Sequence, residues 1–474
     1  MTWPAVLLWL LIIVAAFWRG PLPLLYVFGA TASFGSLQMV PADAVGGMTL
    51  LPQSVCAACL VGKILAERGN LARALTLAVD PATLGPLFLF LAYGILSAYA
   101  LPRFFMNMVY IIPVRPIGDA PVLLEPTAAN FTQSAYMTLS ISLLLVVTLK
   151  GGQPDFRRHF LQALLLTGVV LIATGLIDLF LGAAGLSYLL EPFRNATYAL
   201  YVDDTIVGYK RVVGLLPEAS TYGALCVTAA ASLAFLRPCF ETGLRDSLVP
   251  ATVLALIVMA ALSTSSTAYA GLGAFAVAFA INWLRRCFTP HAPSRIGLYG
   301  EAFVVIAVVV GLLLVIVLAP GLLDPINALL DVVIFNKSQS ISYIQRNLAT
   351  TTAMDAFFAT SGIGIGLGSA RTSNWFVAIL SNTGIIGATL LTWFIARLYL
   401  QRCRSDSRTV EIVTALKFSL LPWFVMQALA GTTADIGVWP MSFLGIIASS
   451  TSIKWMPSLK SRSKLPNRRR SPQN

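Results

Sequence analysis

Apolar residues occur along this chain in long unbroken blocks, separated by shorter polar stretches. The blocks lie near 4–18, 21–40, 46–65, 81–101, 131–149, 160–181, 221–236, 248–264, 267–284, 302–319, 375–399, 411–430 and 438–453. Most approach the ~20 residues that a helix needs to cross a bilayer. Backbone polar groups in hydrocarbon must be paired internally, which leaves helices or closed barrels. Barrel strands alternate apolar and polar positions, and these blocks do not. The pattern predicts an all-α, polytopic transmembrane helical bundle of about 12–14 spans.

Composition agrees. The chain is 57% hydrophobic and 11% charged, with mean hydropathy +0.80, whereas soluble domains carry about 25% charged residues. The net charge of +12 does not require a nucleic-acid partner, because cytoplasmic loops of membrane proteins accumulate Lys and Arg. With the N-terminus outside and the C-terminus inside, the inner loops and adjoining helix ends collect 24 of the 32 Lys and Arg. The outer side holds Arg103, Arg115, Arg194, Lys210, Arg211, Lys337, Arg346 and Arg371. The block at 4–18 has no basic n-region and no A-x-A site, so it reads as a retained helix. One transmembrane domain over 1–456 is expected, followed by a basic, Pro/Ser-containing tail over 457–474. That tail reads as disordered and drawn to anionic lipid heads.

The long loops, about 102–130, 183–220 and 320–374, all fall on the outer side. Loops of this length are usually functional, so the polar mass points to work done outside. No internal repeat of the kind common in carriers is evident. Asp178 sits late in its span and reads as an interfacial acid, with a site residue as the alternative. Cys56 and Cys59 form a C-x-x-C inside an apolar block, which reads as a buried, inert pair. His159 and His291 both fall in inner loops. No outer triad or metal-ligand spacing can be assembled, and neither a metal nor a cofactor is expected.

Two outer clusters carry candidate chemistry. The first is YVDDTIVGYKRVVGLLPEASTYGAL, 201–225, with Asp203, Asp204, Lys210, Arg211 and Glu218. Basic residues on the outer side run against the positive-inside tendency and imply another benefit. Glu218 follows Pro217 directly before an apolar block. A carboxylate at that depth is either a desolvated base or a helix N-terminal charge facing the macrodipole. The second cluster is SQSISYIQRNLATTTAMDAFFATSGIGIGLGSARTSN, 338–374. Ile341, Ile344, Leu348, Phe357 and Phe358 fit an amphipathic helix on the outer face. Gly362, Gly364, Gly366 and Gly368 then alternate, which suits either close backbone approach or amides presented to phosphate. Arg371 beside Asn374 at the mouth of a span offers a planar fork for phosphate oxygens. The hairpin LSTSSTAYAGLG, 262–273, carries hydroxyls that either satisfy helix ends or contact sugar.

Taken together, these motifs resemble the bacterial O-antigen polymerase/ligase superfamily. They are Lys210-Arg211-x-x-Gly214-Leu-Leu-Pro217-Glu218, then Arg346, then G-I-G-x-G-S-A-R ending at Arg371, then N-W-F from Asn374 and N-T-G-I-I-G from Asn382. Arg346 and Gly362 also match an R-x15-G pattern of polymerase outer loops. The resemblance covers roughly 200–395 by motif. It implies a GT-C-like fold in the inner membrane and metal-independent glycosyl transfer at the periplasmic face. The substrate would be an oligosaccharide repeat unit on undecaprenyl pyrophosphate, and the product O-antigen, capsule or exopolysaccharide. Lys210, Arg211, Arg346, Arg371 and Asn374 would hold pyrophosphate or glycan, and Glu218 or Asp355 would assist the acceptor. A chain-length regulator would be a partner. Two departures bear on this: the large outer loop lacks the ligase histidine, which favours a polymerase, and the hairpin lacks the arginine common in relatives. A ligase and a lipid-linked oligosaccharide transporter are the alternatives.

Overall fold

The structure, a computed structural model, describes residues 1–115, 120–196, 205–206, 209–288, 297–303, 305–306, 310, 341–403 and 406–451. Asp203, Asp204, His291, Lys337, most of the block at 302–319 and the tail over 457–474 lie outside the described residues. The protein is an all-α bundle, about 75% helical. Among the described residues, eight helices are long and apolar enough to cross a membrane, and five shorter apolar ones accompany them.

In chain order the described α-helices are α1 (Trp3–Phe17), α2 (Leu22–Thr31), α3 (Pro52–Ala66), α4 (Asn70–Val79), α5 (Gly85–Phe104), α6 (Ala128–Gly151) and α7 (Pro154–Ala183). They continue as α8 (Ala219–Leu236), α9 (Val249–Leu262), α10 (Ser266–Phe288), α11 (Ile341–Ala359), α12 (Trp375–Leu400), α13 (Ser407–Ala430) and α14 (Val438–Thr451). Two short antiparallel hairpins interrupt the loops. β1 (Tyr110–Ile111) pairs with β2 (Val122–Leu123), and β3 (Thr205–Ile206) pairs with β4 (Tyr209–Lys210).

Proline begins several helices, including α1, α3, α5 and α7. Its fixed φ suits the first turn, where its missing N–H would be unpaired anyway. Helix contacts rest on small residues, as expected where lipid removes the hydrophobic drive for association. A Cβ on Gly445 of α14 would lie 2.9 Å from the Leu144 carbonyl of α6. Hydroxyls inside the helices bond back to their own turns, as Thr148 does to Leu144 and Ser232 to Thr228.

Two expected spans are shorter than their apolar blocks. The block at 21–40 is helical only to Thr31, and the block at 46–65 only from Pro52. Gly35, Pro41, Gly46 and Gly47 break the helix between them. The intervening backbone is tied to protein instead. The Ser36 N–H donates to Leu215 O, the Met39 N–H to Leu50 O, and the Ala196 N–H to Ser36 O. Non-helical backbone at depth is tolerated when protein covers it.

The basic loops meet at one end of the bundle. Lys150 pairs with Glu67, and Arg158 with Glu241 at 2.8 Å. Arg286 and Arg237 both pair with Glu301, at 2.7 and 3.5 Å. At the same end, α4 occupies what reads in sequence as plain basic loop, with Leu71, Leu75 and Val79 on its exposed face. The loops around 32–51, 105–127, 184–218, 263–265, 360–374 and 431–437 bond to one another at the opposite end. There a small second core forms from Val109, Ile111, Leu124, Ala353, Ala356, Ile365 and Ala370.

Candidate functional site in the loop layer opposite the basic end

Asp178, near the end of α7, is 0% exposed. Its Oδ1 lies 2.8 Å from Arg194 and 3.1 Å from Lys210. Its Oδ2 accepts from the Val213 and Gly214 amides at 2.9 and 3.0 Å. The same Arg194 donates to Gly214 O, and Lys210 donates to Ser187. Asp178 is thus a fully bonded internal carboxylate and not the interfacial acid that its position suggests, although the Nε of Arg194 beside it is left unpartnered. It pins the loop before α8 onto α7. Burying a carboxylate is tolerable only with such pairing.

Arg211 follows directly after β4 and engages a different loop. Its guanidinium donates to Ser263 O and to the Thr264 hydroxyl and carbonyl, at 3.2–3.4 Å. The hairpin that has no arginine of its own is therefore met by Arg211. Ser263 and Ser265 also serve helix ends, bonding Ala260 O and the Ala268 N–H. Glu218 is half-buried at the N-cap of α8, and its carboxylate accepts from the Ser220 and Thr221 hydroxyls.

The glycine ladder is a close-approach turn. Gly362, Gly364, Gly366 and Gly368 have φ of 79°, 88°, 97° and 83°, a region costly for any side chain. The amides around them are used within the protein. Ile365 donates to Ser381 O at 2.8 Å. Ser369 and Ala370 both donate to Asn382 Oδ1 at 3.1 Å, and Leu367 donates to Ser97. The Ile365, Leu367, Ser369 and Ala370 amides are thus not presented to a phosphate. Gly384 breaks the α12 helix with φ 62°, where the ladder crosses it.

Beyond the ladder the chain reaches Arg371. The Arg371 N–H donates to Ile112 O at 2.8 Å, and Pro113 and Ala370 form an isolated bridge. Thr372 bonds Thr432 O through its N–H and Gly431 O through its hydroxyl. Arg371 is thus held between the β1 loop and the α13–α14 loop by backbone contacts alone. Its side-chain Nε is buried without a hydrogen-bond partner. Buried polar atoms are nearly always paired, and Arg194 Nε and Trp375 Nε1 share this unpartnered state.

The Ser373 N–H donates to Thr350 Oγ1 at 3.1 Å, docking α11 beside this strand. Arg346 lies one turn before Thr350 and is half-buried. The contact that docks α11 joins the helix carrying Arg346 to the segment carrying Arg371. Asn374 also sits there, but its Oδ1 caps α12 by accepting from Phe376 and Val377. Asp355 is exposed on α11. That helix packs through Ala349, Ala353, Ala356 and Phe357, while Ile344, Leu348 and Phe358 face outward. The packed face is the alanine face, not the larger apolar stripe.

Sequence reading passed over Asp435, in the loop between α13 and α14. The Ser140 hydroxyl donates to its Oδ2 at 3.0 Å, and Oδ1 is buried without a partner. Ser140 lies midway along α6, so this loop descends well into the bundle. Burial pushes the Asp435 carboxyl up to about 6, against the opposing pull of the Gly437 amide, the Ser140 hydroxyl and the Ile436 amide. Tyr136, one turn from Ser140, feels the fields of Arg115 and Asp435 and exchanges hydrogen bonds with Thr49. A signal was present: α6 buries Asn130, Gln133, Ser134 and Ser140, and polar residues in a span mark internal surfaces.

A scan against protein-family models finds no match to this chain. A search of curated proteins likewise finds none.

Proposed function

We propose that this multi-pass membrane protein is a polymerase of lipid-linked oligosaccharide repeat units, acting at the periplasmic face of the bacterial inner membrane. The observation that carries the reading is Arg371. A guanidinium with a buried, unpartnered Nε, fixed by its backbone between two loops on the segment against which the Arg346-bearing helix α11 docks, suits a doubly charged pyrophosphate. The ordered likeness of the 210–218, 346, 364–371 and 382–387 motifs to O-antigen polymerases supports it.

In this reading Arg371 and Arg346 neutralise the pyrophosphate as it leaves the anomeric carbon. Preorganised cations in a water-poor site act strongly on such developing charge. The Asn374 oxygen caps α12, and its amide nitrogen would serve the glycan or pyrophosphate. Lys210 and Arg211 contribute by fixing the loop before α8, since each is bonded within the protein. Glu218 and Asp355 remain candidates to assist the acceptor hydroxyl. The undecaprenyl chain lies along the bundle and orients the reacting carbon, which lowers the entropic part of the barrier. A chain-length regulator would act alongside.

A deletion strain tests the reading. It should accumulate lipid-linked single repeats and lose long polymer. Persistence of long polymer would refute a polymerase. Loss of attachment with polymer retained would point to a ligase, and single repeats confined to the cytoplasmic face would point to a flippase.

A further inference from the structure

The acceptor hydroxyl must lose a proton as it attacks, and the described acids at this end differ sharply in fitness for that task. Asp43, Glu125, Glu191 and Asp355 are exposed, so water solvates them fully. Asp178 is saturated by two cations and two amides. Glu218 takes both hydroxyls of its own first helical turn on Oε1, which ties it to the N-cap of α8, and its other oxygen is not among the buried, unpartnered atoms. Asp435 alone among these joins partial exposure to a buried carboxylate oxygen with no partner.

Its surroundings complete the argument. The Asp435 loop is also the strand that Thr372 bonds, through Gly431 and Thr432. One residue before Thr372 stands Arg371, whose Nε is likewise buried and unpartnered. Two groups of opposite charge therefore sit on bonded neighbouring segments without pairing with each other, although pairing is the usual fate of buried charges. A ligand seated between these segments would satisfy both: anion toward Arg371, hydroxyl toward Asp435. Tyr136 and Ser140 on α6 are the polar side chains facing Asp435, with Arg115 acting on Tyr136 from beyond.

We infer that Asp435 is the proton acceptor for the attacking sugar hydroxyl, held in place by Ser140. This inference rests on the polymerase reading. The acceptor oxygen forms a bond to the donor's anomeric carbon, and the bond from that carbon to the phosphate oxygen breaks. The pyrophosphate lipid leaves with the bonding pair, stabilised by Arg371. The hydroxyl proton passes to the free Asp435 oxygen and then to solvent. No other reactant is needed. The raised carboxyl, near 6, leaves Asp435 ionised at neutral pH yet basic enough to accept a proton.

The test uses full-length protein in proteoliposomes, supplied with the lipid-linked repeat that accumulates in the deletion strain. Elongation rate is followed against pH for wild type, Asp435→Asn and Ser140→Ala, with folded protein checked by size-exclusion profile. Wild type should rise from about pH 5 to a plateau near about pH 7, and D435N should lose about 100-fold or more together with that rise. S140A should keep most of the plateau rate and move the rise to higher pH, because the carboxylate loses a donor. A D435N rate within a few-fold of wild type with an unchanged pH profile overturns the inference while the polymerase reading stands. If D435N does not fold, S140A decides, and an unmoved profile is the negative result. Wild type that elongates nothing at any pH removes both.

Discussion

Arg194 holds Asp178 at 2.8 Å in a site where the two side chains are only 5% and 1% exposed. The pair joins α7 to the loop before α8, with Lys210 as a second cation. That loop also carries Arg211 to the 263–265 hairpin and Leu215 to the strand at Ser36. One carboxylate thus organises a large part of the loop layer.

Asp178→Asn should therefore destabilise the whole protein. It leaves two cations without their counter-charge, and breaking a buried pair typically costs about 3–5 kcal/mol. Lys210→Ala should cost much less, because its side chain is 22% exposed and Arg194 stays paired. Thermal unfolding in one detergent, read by loss of the monodisperse peak, compares them. Equal shifts for the two variants would contradict this assignment.

Gly384→Ala should abolish folded protein. A Cβ there would lie 2.1 Å from the Ile363 carbonyl oxygen, at a φ of 62°. Neither backbone can yield without opening the ladder against α12. Gly185→Ala, also at positive φ but with nothing within 4 Å, is the control. It should lose only about 1–2 kcal/mol, from backbone strain. Membrane yield and thermal stability report both.

Arg371→Ala should lower elongation by about two to three powers of ten while leaving the protein folded. Its side-chain Nε has no partner to lose, and its backbone bonds survive the substitution. Arg371→Lys should recover only part, since an ammonium cannot form the planar fork. Arg346→Ala should act in the same direction. Wild-type polymer from both alanine variants would remove these residues from the site.

Asn374 separates capping from binding. Asn374→Ala should cost about 1 kcal/mol by uncapping α12. Asn374→Asp keeps a capping oxygen and should retain stability, but it places an anion beside Arg371. If the amide borders the pyrophosphate, the aspartate variant folds normally and elongates poorly. Equal activity of the aspartate variant and wild type would confine Asn374 to its cap.

Asp435 also predicts a pH dependence of stability. Its folded carboxyl is raised from 3.8 to about 6, first by burial. Between those values the folded protein binds the proton more readily than the unfolded chain. This contribution is present below the unfolded value and is lost as pH rises through the folded one. Wild type should therefore lose stability relative to Asp435→Asn as pH climbs through that window. A stability difference that stays constant across it would show that Asp435 is not strained in the folded protein.

Much of the architecture was legible because hydropathy reads composition along one dimension. The blocks that became α5 to α10 and α12 to α14 were plain in the sequence. Reading failed where composition and conformation part. The blocks at 21–40 and 46–65 are apolar enough to span, yet glycine and proline end the helices early and neighbouring loops cover the exposed backbone. On α11 the sequence showed an amphipathic stripe, and Ile344, Leu348 and Phe358 do face outward, but which small residues pack, Ala349, Ala353 and Ala356, was not legible.

The same limit applied to the site. Sequence placed Arg346, Arg371 and the glycine ladder in one loop and set Lys210–Arg211 apart in another. It could not tell which cations are already occupied. Lys210 is paired with Asp178, some thirty residues before it, while the Nε of Arg371 has no hydrogen-bond partner. Nor could it find Asp435, a lone acid whose importance comes from Ser140 on a helix almost three hundred residues away. An all-helical membrane bundle, with its basic loops at one end and its long loops at the other, can be read along the chain, because bilayer length and loop charge act locally. Which buried charges find partners and which do not emerges from the folded arrangement, because pairing depends on approach between distant segments that no local pattern encodes.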